Sequence, residues 1–170
     1  LMYVLDTNTV IDLFKDRGGV AERVLATPPA EIGLSAVVLY ELEVGAEKSD
    51  RPARHREQIA TFARLATLLP FGVAEARAAA RLRARLEAAG RGIGPYDTLI
   101  AATALATGAT LVTHNTDELA RVRPDLTGGE EPGGRFEQLV EFSTDMLTIH
   151  RRDGTVRYVN PVIEDIMGYV

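Results

Sequence analysis

Four places in the chain set a carboxylate after a short apolar run or within the first turns of a helical stretch, and these carry its candidate chemistry. Asp6 closes the run Met2-Tyr-Val-Leu5. Glu41 lies about one and a half turns into the stretch that follows Ser35, on helical spacing. Asp97 opens the stretch after Gly92-Ile-Gly-Pro-Tyr96, and Thr113-His-Asn115 with Asp117-Glu118 follow a fourth apolar run. In a doubly wound sheet, ligands gather at the carboxyl ends of the strands, so these acids are expected to share one cleft. Carboxylates packed so closely repel and raise one another's pKa unless a cation neutralises them. Oxygen donors without Cys or clustered His select a hard ion such as Mg2+ or Mn2+. Such an ion polarises a phosphoryl oxygen and activates water, which makes metal-assisted phosphodiester hydrolysis the expected reaction. Each acid also has a plainer reading as a helix cap. Glu41 resists it, because the helical wheel sets it on the side of Val37, Val38 and Val44, where an unpaired charge is costly.

The elements that must position these acids alternate. Residues 2–5 read as a strand and 8–15 as a helix with Val10, Ile11, Leu13 and Phe14 at apolar spacing. A second short helix over about 20–26 ends before Pro28-Pro29, and Glu31–Leu34 reads as a buried strand. Ser35 is a candidate N-cap for a helix over 36–48. A longer helix spans about 52–66 and a third strand 67–71. The Ala-, Leu-, Arg- and Glu-rich stretch 73–89 is helical and stops at Gly90. Pro95 stands just inside the next helix, 96–107, which Gly108 ends before a fourth strand at 110–113. Alternation of this kind predicts an α/β fold, a parallel sheet flanked by helices on both faces in three layers. Strand order is not legible from it.

Composition narrows the function classes. The 170 residues, 46% hydrophobic and 25% charged, describe a globular protein rather than a disordered or collagenous one. Nineteen Lys+Arg against 24 Asp+Glu give a net charge of −5, so binding to nucleic acid cannot rest on a globally basic surface. The charge is uneven: residues 1–126 carry 15 basic and 16 acidic side chains, residues 127–170 carry 4 and 8. The absence of cysteine removes disulfides, thiolate nucleophiles and zinc-finger sites. No apolar run reaches the roughly 20 residues a bilayer needs, and the N-terminus lacks a signal-peptide pattern, so a cytoplasmic protein with no membrane association is expected.

Four strings carry a specific resemblance. Leu5-Asp6-Thr7-Asn8-Thr9-Val10-Ile11-Asp12, Ser35-Ala-Val-Val-Leu-Tyr-Glu41-Leu-Glu-Val-Gly45, Ile93-Gly-Pro-Tyr-Asp97-Thr-Leu-Ile-Ala-Ala102 and Leu111-Val-Thr-His-Asn-Thr-Asp-Glu118-Leu resemble, in this order, the motifs of PIN-domain ribonucleases of the VapC type, the toxins of bacterial toxin–antitoxin pairs. The resemblance covers about residues 2–126. It implies a PIN fold, an endoribonuclease dependent on Mg2+ or Mn2+, an RNA substrate, a cognate antitoxin that blocks the site, and a homodimer. Asp6, Glu41 and Asp97 match the three acidic site residues of the family, with Asp6 and Asp97 as metal ligands. At the fourth position Asn115 stands where many PIN domains have Asp, and Glu118 is the available carboxylate, as in members with an Asn-Asn-Thr-Arg-Glu-Phe-like string. Thr7, Asn8 and Thr113 match polar positions that orient the acids, although Thr7 and Asn8 serve equally well as capping residues. Asp12 is read as structural and Asp117 as solvated.

Two further features touch on RNA. Arg77, Arg81 and Arg85 recur every four residues and fall on one helix face, either tracking a phosphate backbone or, the favoured reading, forming a solvated surface. Tyr96 either stacks a base or packs in the core. Thr127-Gly-Gly-Glu-Glu-Pro-Gly-Gly134 is a linker by composition. Beyond it a short helix is expected over Phe136–Phe142, strands over 146–150 and 156–159 joined through Asp153-Gly154, and a last helix after Asn160-Pro161. This segment, 135–170, resembles the opening of a PAS sensor domain, an incomplete α+β unit too short for its own core. It starts where a VapC-type chain adds its last short strand, so the sheet edge is either incomplete or supplied by this segment.

Competing readings fail on specific residues. A dinucleotide-binding domain needs a Gly-rich turn after the first strand, where Asp6-Thr7-Asn8 stands. A haloacid-dehalogenase-type phosphatase wants Asp at Asn8, and a receiver domain wants a phosphoacceptor Asp near Pro70-Phe71-Gly72. The open alternatives are a PIN-like module that grips RNA or antitoxin without cutting, supported by Asn115, and a part of a PAS-containing sensory fusion.

Overall fold

The computed structural model describes residues 2–113 and, beyond them, the backbone of strands at 139–141, 148–150 and 156–159. Strand β1 (Tyr3–Leu5) is short and its Val4 and Leu5 are buried. Asp6, in extended conformation, caps α1 (Thr7–Phe14) through its side chain. After α2 (Val20–Ala26) and a 3-10 turn at Pro29–Glu31 comes β2 (Ile32–Ser35), buried along its whole length. Ser35 is the N-cap of α3 (Ala36–Glu47), its hydroxyl accepting from the Val38 N–H at 3.1 Å. Helix α4 (Pro52–Leu65) leads into β3 (Thr67–Leu69), which is two residues shorter than expected. Helices α5 (Val73–Ala88) and α6 (Pro95–Thr107) follow, with Pro95 in the first position of α6 and Gly108, at φ 63°, ending it. Strand β4 (Thr110–Thr113) is again fully buried.

The elements therefore stand within a residue or two of where local pattern and capping chemistry put them, and the sheet supplies the order that pattern could not. Strands run β3-β2-β1-β4-β5, with β5 (Leu139–Glu141) at the far edge, and every pairing is parallel. Consecutive strands step outward from β1 to β3. The chain then crosses back through α5 and α6 to place β4 on the other side of β1. The seam between β1 and β4 is thus the topological switch point, where the connections diverge and leave a crevice at the carboxyl edge.

Both faces of the sheet are covered at its centre, so β2, β1 and β4 read as continuous apolar runs rather than alternating ones. Val4, Leu34 and Leu111 from three adjacent strands are completely or almost completely buried, with Val10, Val38 and Leu86 packed from helices into the same cluster. Gly33 in β2 permits that density: a Cβ there would stand 2.9 Å from Leu69 Cδ1. Among the described residues no helix is long and apolar enough to cross a membrane.

The expected helix over Phe136–Phe142 is corrected by the structure. Leu139–Glu141 is a strand, in register Leu111 to Leu139, Val112 to Val140 and Thr113 to Glu141. A buried β4 needs its outer backbone groups paired, and this tertiary demand overrides a seven-residue amphipathic pattern. The sheet edge is accordingly supplied by the segment after the Gly-rich linker. Strands β6 (Thr148–His150) and β7 (Val156–Val159) pair antiparallel, as the expected hairpin strands should. The Asp153-Gly154 turn, the last helix and the remainder of the PAS-like segment lie outside the described residues.

Candidate active site

Asp6 sits at the switch point with only 3% of its surface exposed. Its backbone N–H donates to the Val112 carbonyl at 2.9 Å, which fastens the end of β1 to β4. Its side chain is held from both sides. Oδ1 accepts the Thr9 N–H at 2.6 Å, the N-cap bond of α1, and Oδ2 accepts the Thr113 hydroxyl from the end of β4. Thr9 closes the circuit by donating its own hydroxyl to the Val112 carbonyl at 3.3 Å. A buried carboxylate is tolerable only when its lone pairs are satisfied, and two donors plus the positive end of α1 do that here. They also lock its orientation.

Glu41 approaches from α3. It is half-buried, and the Thr7 hydroxyl in the first turn of α1 donates to its Oε2, so the charge on the apolar side of α3 has the partner its position requires. Asp97 lies in the first turn of α6, also half-buried. Because α1 and α3 leave the carboxyl ends of β1 and β2, and α6 runs back toward the start of β4, all three helices begin at this edge. Their N-terminal N–H groups give it a positive potential that favours phosphate.

Tyr40 and Tyr96, the residues just before Glu41 and Asp97, meet across α3 and α6. Their ring centroids are 5.7 Å apart at an interplanar angle of 47°, and the phenol oxygens stand 3.5 Å apart. The hydrogen bond to Tyr40 and Tyr40's charge, then desolvation and the charge of Glu41, hold the Tyr96 phenol above the usual tyrosine range. Tyr96 is not a core residue, since 43% of it is exposed, and Tyr40 is 52% exposed.

Asp6, Thr7, Glu41 and Thr113 thus form two linked hydrogen-bonded pairs, and Asp97 opens a helix at the same edge. Among the described residues no three His, Asp or Glu side chains form a group able to hold a metal ion. Asn115, Asp117 and Glu118 lie outside the described residues. Asn8 is exposed. Arg77, Arg81 and Arg85 are exposed along α5, which both a solvated face and a phosphate-tracking one require. A cavity of about 480 Å³ between α5 and α6 is lined by Ala79, Arg83, Leu86, Ile93, Pro95 and Leu99, among others, and by none of the three acids. Sequence reasoning missed Tyr40 and the double role of Thr9. The signal for Tyr40 was the repeated Tyr-acid pair at 40–41 and 96–97.

A parallel α/β sheet with a braced carboxylate at its switch point and further acids on the surrounding helices defines a class of hydrolase-like folds, and comparison with known proteins makes it specific. The model of the PIN domain matches residues 3–123. The tRNA(fMet)-specific endonuclease VapC of Shigella flexneri is 35% identical over 122 residues, 72% of this chain and 92% of the relative. The solved structure of DNA-bound VapBC from Salmonella typhimurium superposes with a TM-score of 0.68 at 33% identity, over 72% of this chain and 92% of that one. VapBC2 from Rickettsia felis, bound to a promoter DNA fragment, gives 0.67 at 30% identity, over 71% and 92%. The chain belongs to the PIN-domain family, among its VapC-type ribonucleases. The family match ends before the segment 135–170, and nothing in these comparisons supports its PAS-like reading.

Proposed function

We propose that the protein is the toxin of a toxin–antitoxin pair, an endoribonuclease that hydrolyses RNA phosphodiester bonds with a divalent cation. The observation that carries the reading is Asp6: a carboxylate 97% buried, oriented by Thr113 and the Thr9 N–H, at the switch point of a fold whose relatives are named ribonucleases. The donors around it fit a hard ion, being carboxylate and hydroxyl oxygens without sulfur or imidazole. Asp6 and Asp97 would hold Mg2+ or Mn2+, with Glu41 and Glu118 as the neighbouring carboxylates, and the bound ion supplies polarisation of a phosphoryl oxygen and activation of water. The chain's own residues do the positioning. Thr113 and Thr9 keep one carboxylate geometry at Asp6, Thr7 holds Glu41 toward the same edge, and the N-termini of α1, α3 and α6 favour the phosphate.

The cited structures are complexes of VapC proteins with VapB partners, which supports a cognate antitoxin for this chain, and we extend the reading to a homodimer acting in the cytoplasm. The name of the Shigella relative makes an initiator tRNA the first RNA to test. Purified chain, freed of antitoxin, should cleave a structured-RNA panel containing that tRNA with Mg2+ or Mn2+. Asp6→Asn and Asp97→Asn should each lower the rate by at least about 100-fold, with circular dichroism and Tm near wild type. No cleavage by the wild type with either ion overturns the proposal.

A further inference from the structure

We infer that Tyr40 and Tyr96 form a stacking platform for an unpaired RNA base, beside the acids of the carboxyl edge; the inference rests on the nuclease reading and adds the residues that hold the substrate. Three observations converge on it. Each ring immediately precedes an acid, so α3 and α6 carry both tyrosines toward the edge where Glu41 and Asp97 lie. Both rings stay about half exposed although they touch one another, with 52% and 43% of their surface open to solvent. The core therefore does not account for them. Finally, Glu41, the residue after Tyr40, is held by the hydroxyl of Thr7, the residue after Asp6, which ties the platform to the candidate site.

The chemistry selects a base rather than a phosphate. Neither tyrosine brings a cationic group to pair with a phosphate, whereas each brings an aromatic face. Tilted rings 5.7 Å apart leave aromatic faces open to a planar partner. Every base has such a face once it leaves its own stack, which is why single-stranded RNA is held this way and continuous duplex is not. The first 126 residues are close to neutral, so stacking adds affinity beyond what net charge supplies. The substrate so described is an RNA with an unstacked nucleotide next to the cut, as in a hairpin loop.

Two measurements test this. With an RNA hairpin that the wild type cuts, Tyr40→Ala and Tyr96→Ala should each raise KM at least about fivefold while kcat changes less than about twofold. Tyr→Phe and Tyr→Trp at either position should keep KM near wild type, because the π-face remains. Independently of cleavage, the chain has no tryptophan, so Tyr96→Trp placed in the Asp97→Asn background gives one indole reporter. Its fluorescence should be quenched by a single-stranded uridine homopolymer and much less by a paired RNA duplex. Unchanged KM in the alanine variants, or an indole indifferent to single strands, overturns the platform while leaving the nuclease intact. An inactive wild type, together with a Tyr96→Trp indole still quenched by single strands, instead sinks the nuclease reading and leaves base stacking standing.

Discussion

The seam between β1 and β4 and the rim formed by α3 and α6 treat their polar groups in opposite ways. At the seam every polar atom of Asp6 is spoken for: the N–H by Val112, one carboxylate oxygen by Thr9, the other by Thr113, with water nearly excluded. At the rim, Glu41 and Asp97 are half-buried and the tyrosines beside them are open. A desolvated, multiply bonded group keeps one geometry and feels its neighbours strongly, which suits it to chemistry. An exposed aromatic pair adapts to what docks on it, which suits it to recognition.

Breaking the seam should cost most. Thr113→Val keeps the shape and removes the hydroxyl that orients Asp6, so we expect cleavage to fall about 10- to 100-fold. The lost donor leaves a buried carboxylate oxygen short of a partner, and chemical denaturation should show about 1–3 kcal/mol less stability. A Thr113→Ser variant, which restores the hydroxyl, should recover most of both. An equally inactive Thr113→Ser would mean that the methyl group, not the bond to Asp6, is what matters.

Thr7→Val probes the boundary between the two regions. Its hydroxyl serves Glu41, which water also reaches, so the stability loss should stay below about 1 kcal/mol and the rate should fall less than for Thr113→Val. If Thr7→Val proved the more damaging, the contrast between a rigid seam and an adaptable rim would be wrong. The smallest effect belongs to the rim alone. A spectrophotometric titration should find Tyr96 ionising above the ordinary range, and Tyr40→Phe, which removes the largest cause, should bring it back toward that range without changing Tm. The sign is fixed by the direction of the shift: the native arrangement favours the neutral phenol, so whatever it contributes is present below the ordinary tyrosine pKa and fades as pH rises through the raised one.

Legibility followed the range of the interactions. Asp6, Ser35 and Pro95 were readable as helix starts and Gly90 and Gly108 as stops, because a cap acts over three or four residues. Glu41 was readable as a charge in need of a partner from helical spacing alone, but Thr7, 34 residues away, was not readable as that partner. Tyr96 was noticed and its companion was not, since 56 residues of chain separate them. The stretch around Leu139 was misread because its local spacing suits a helix, whereas the unpaired edge of β4 decided otherwise.

By itself, then, the amino-acid sequence determined the elements, their ends, the acids and the family resemblance, all of which rest on short-range periodicity, capping and ordered motifs. Only the tertiary structure decided the strand order and the meeting of Asp6 with Thr113 across 107 residues. The physical reason is that parallel pairing and burial are bargains between distant segments: which strand lies beside β1 depends on crossover direction and on the apolar surface that every helix must cover at once. The pairing of β4 with β1 is what turns a capping aspartate into a buried, braced one.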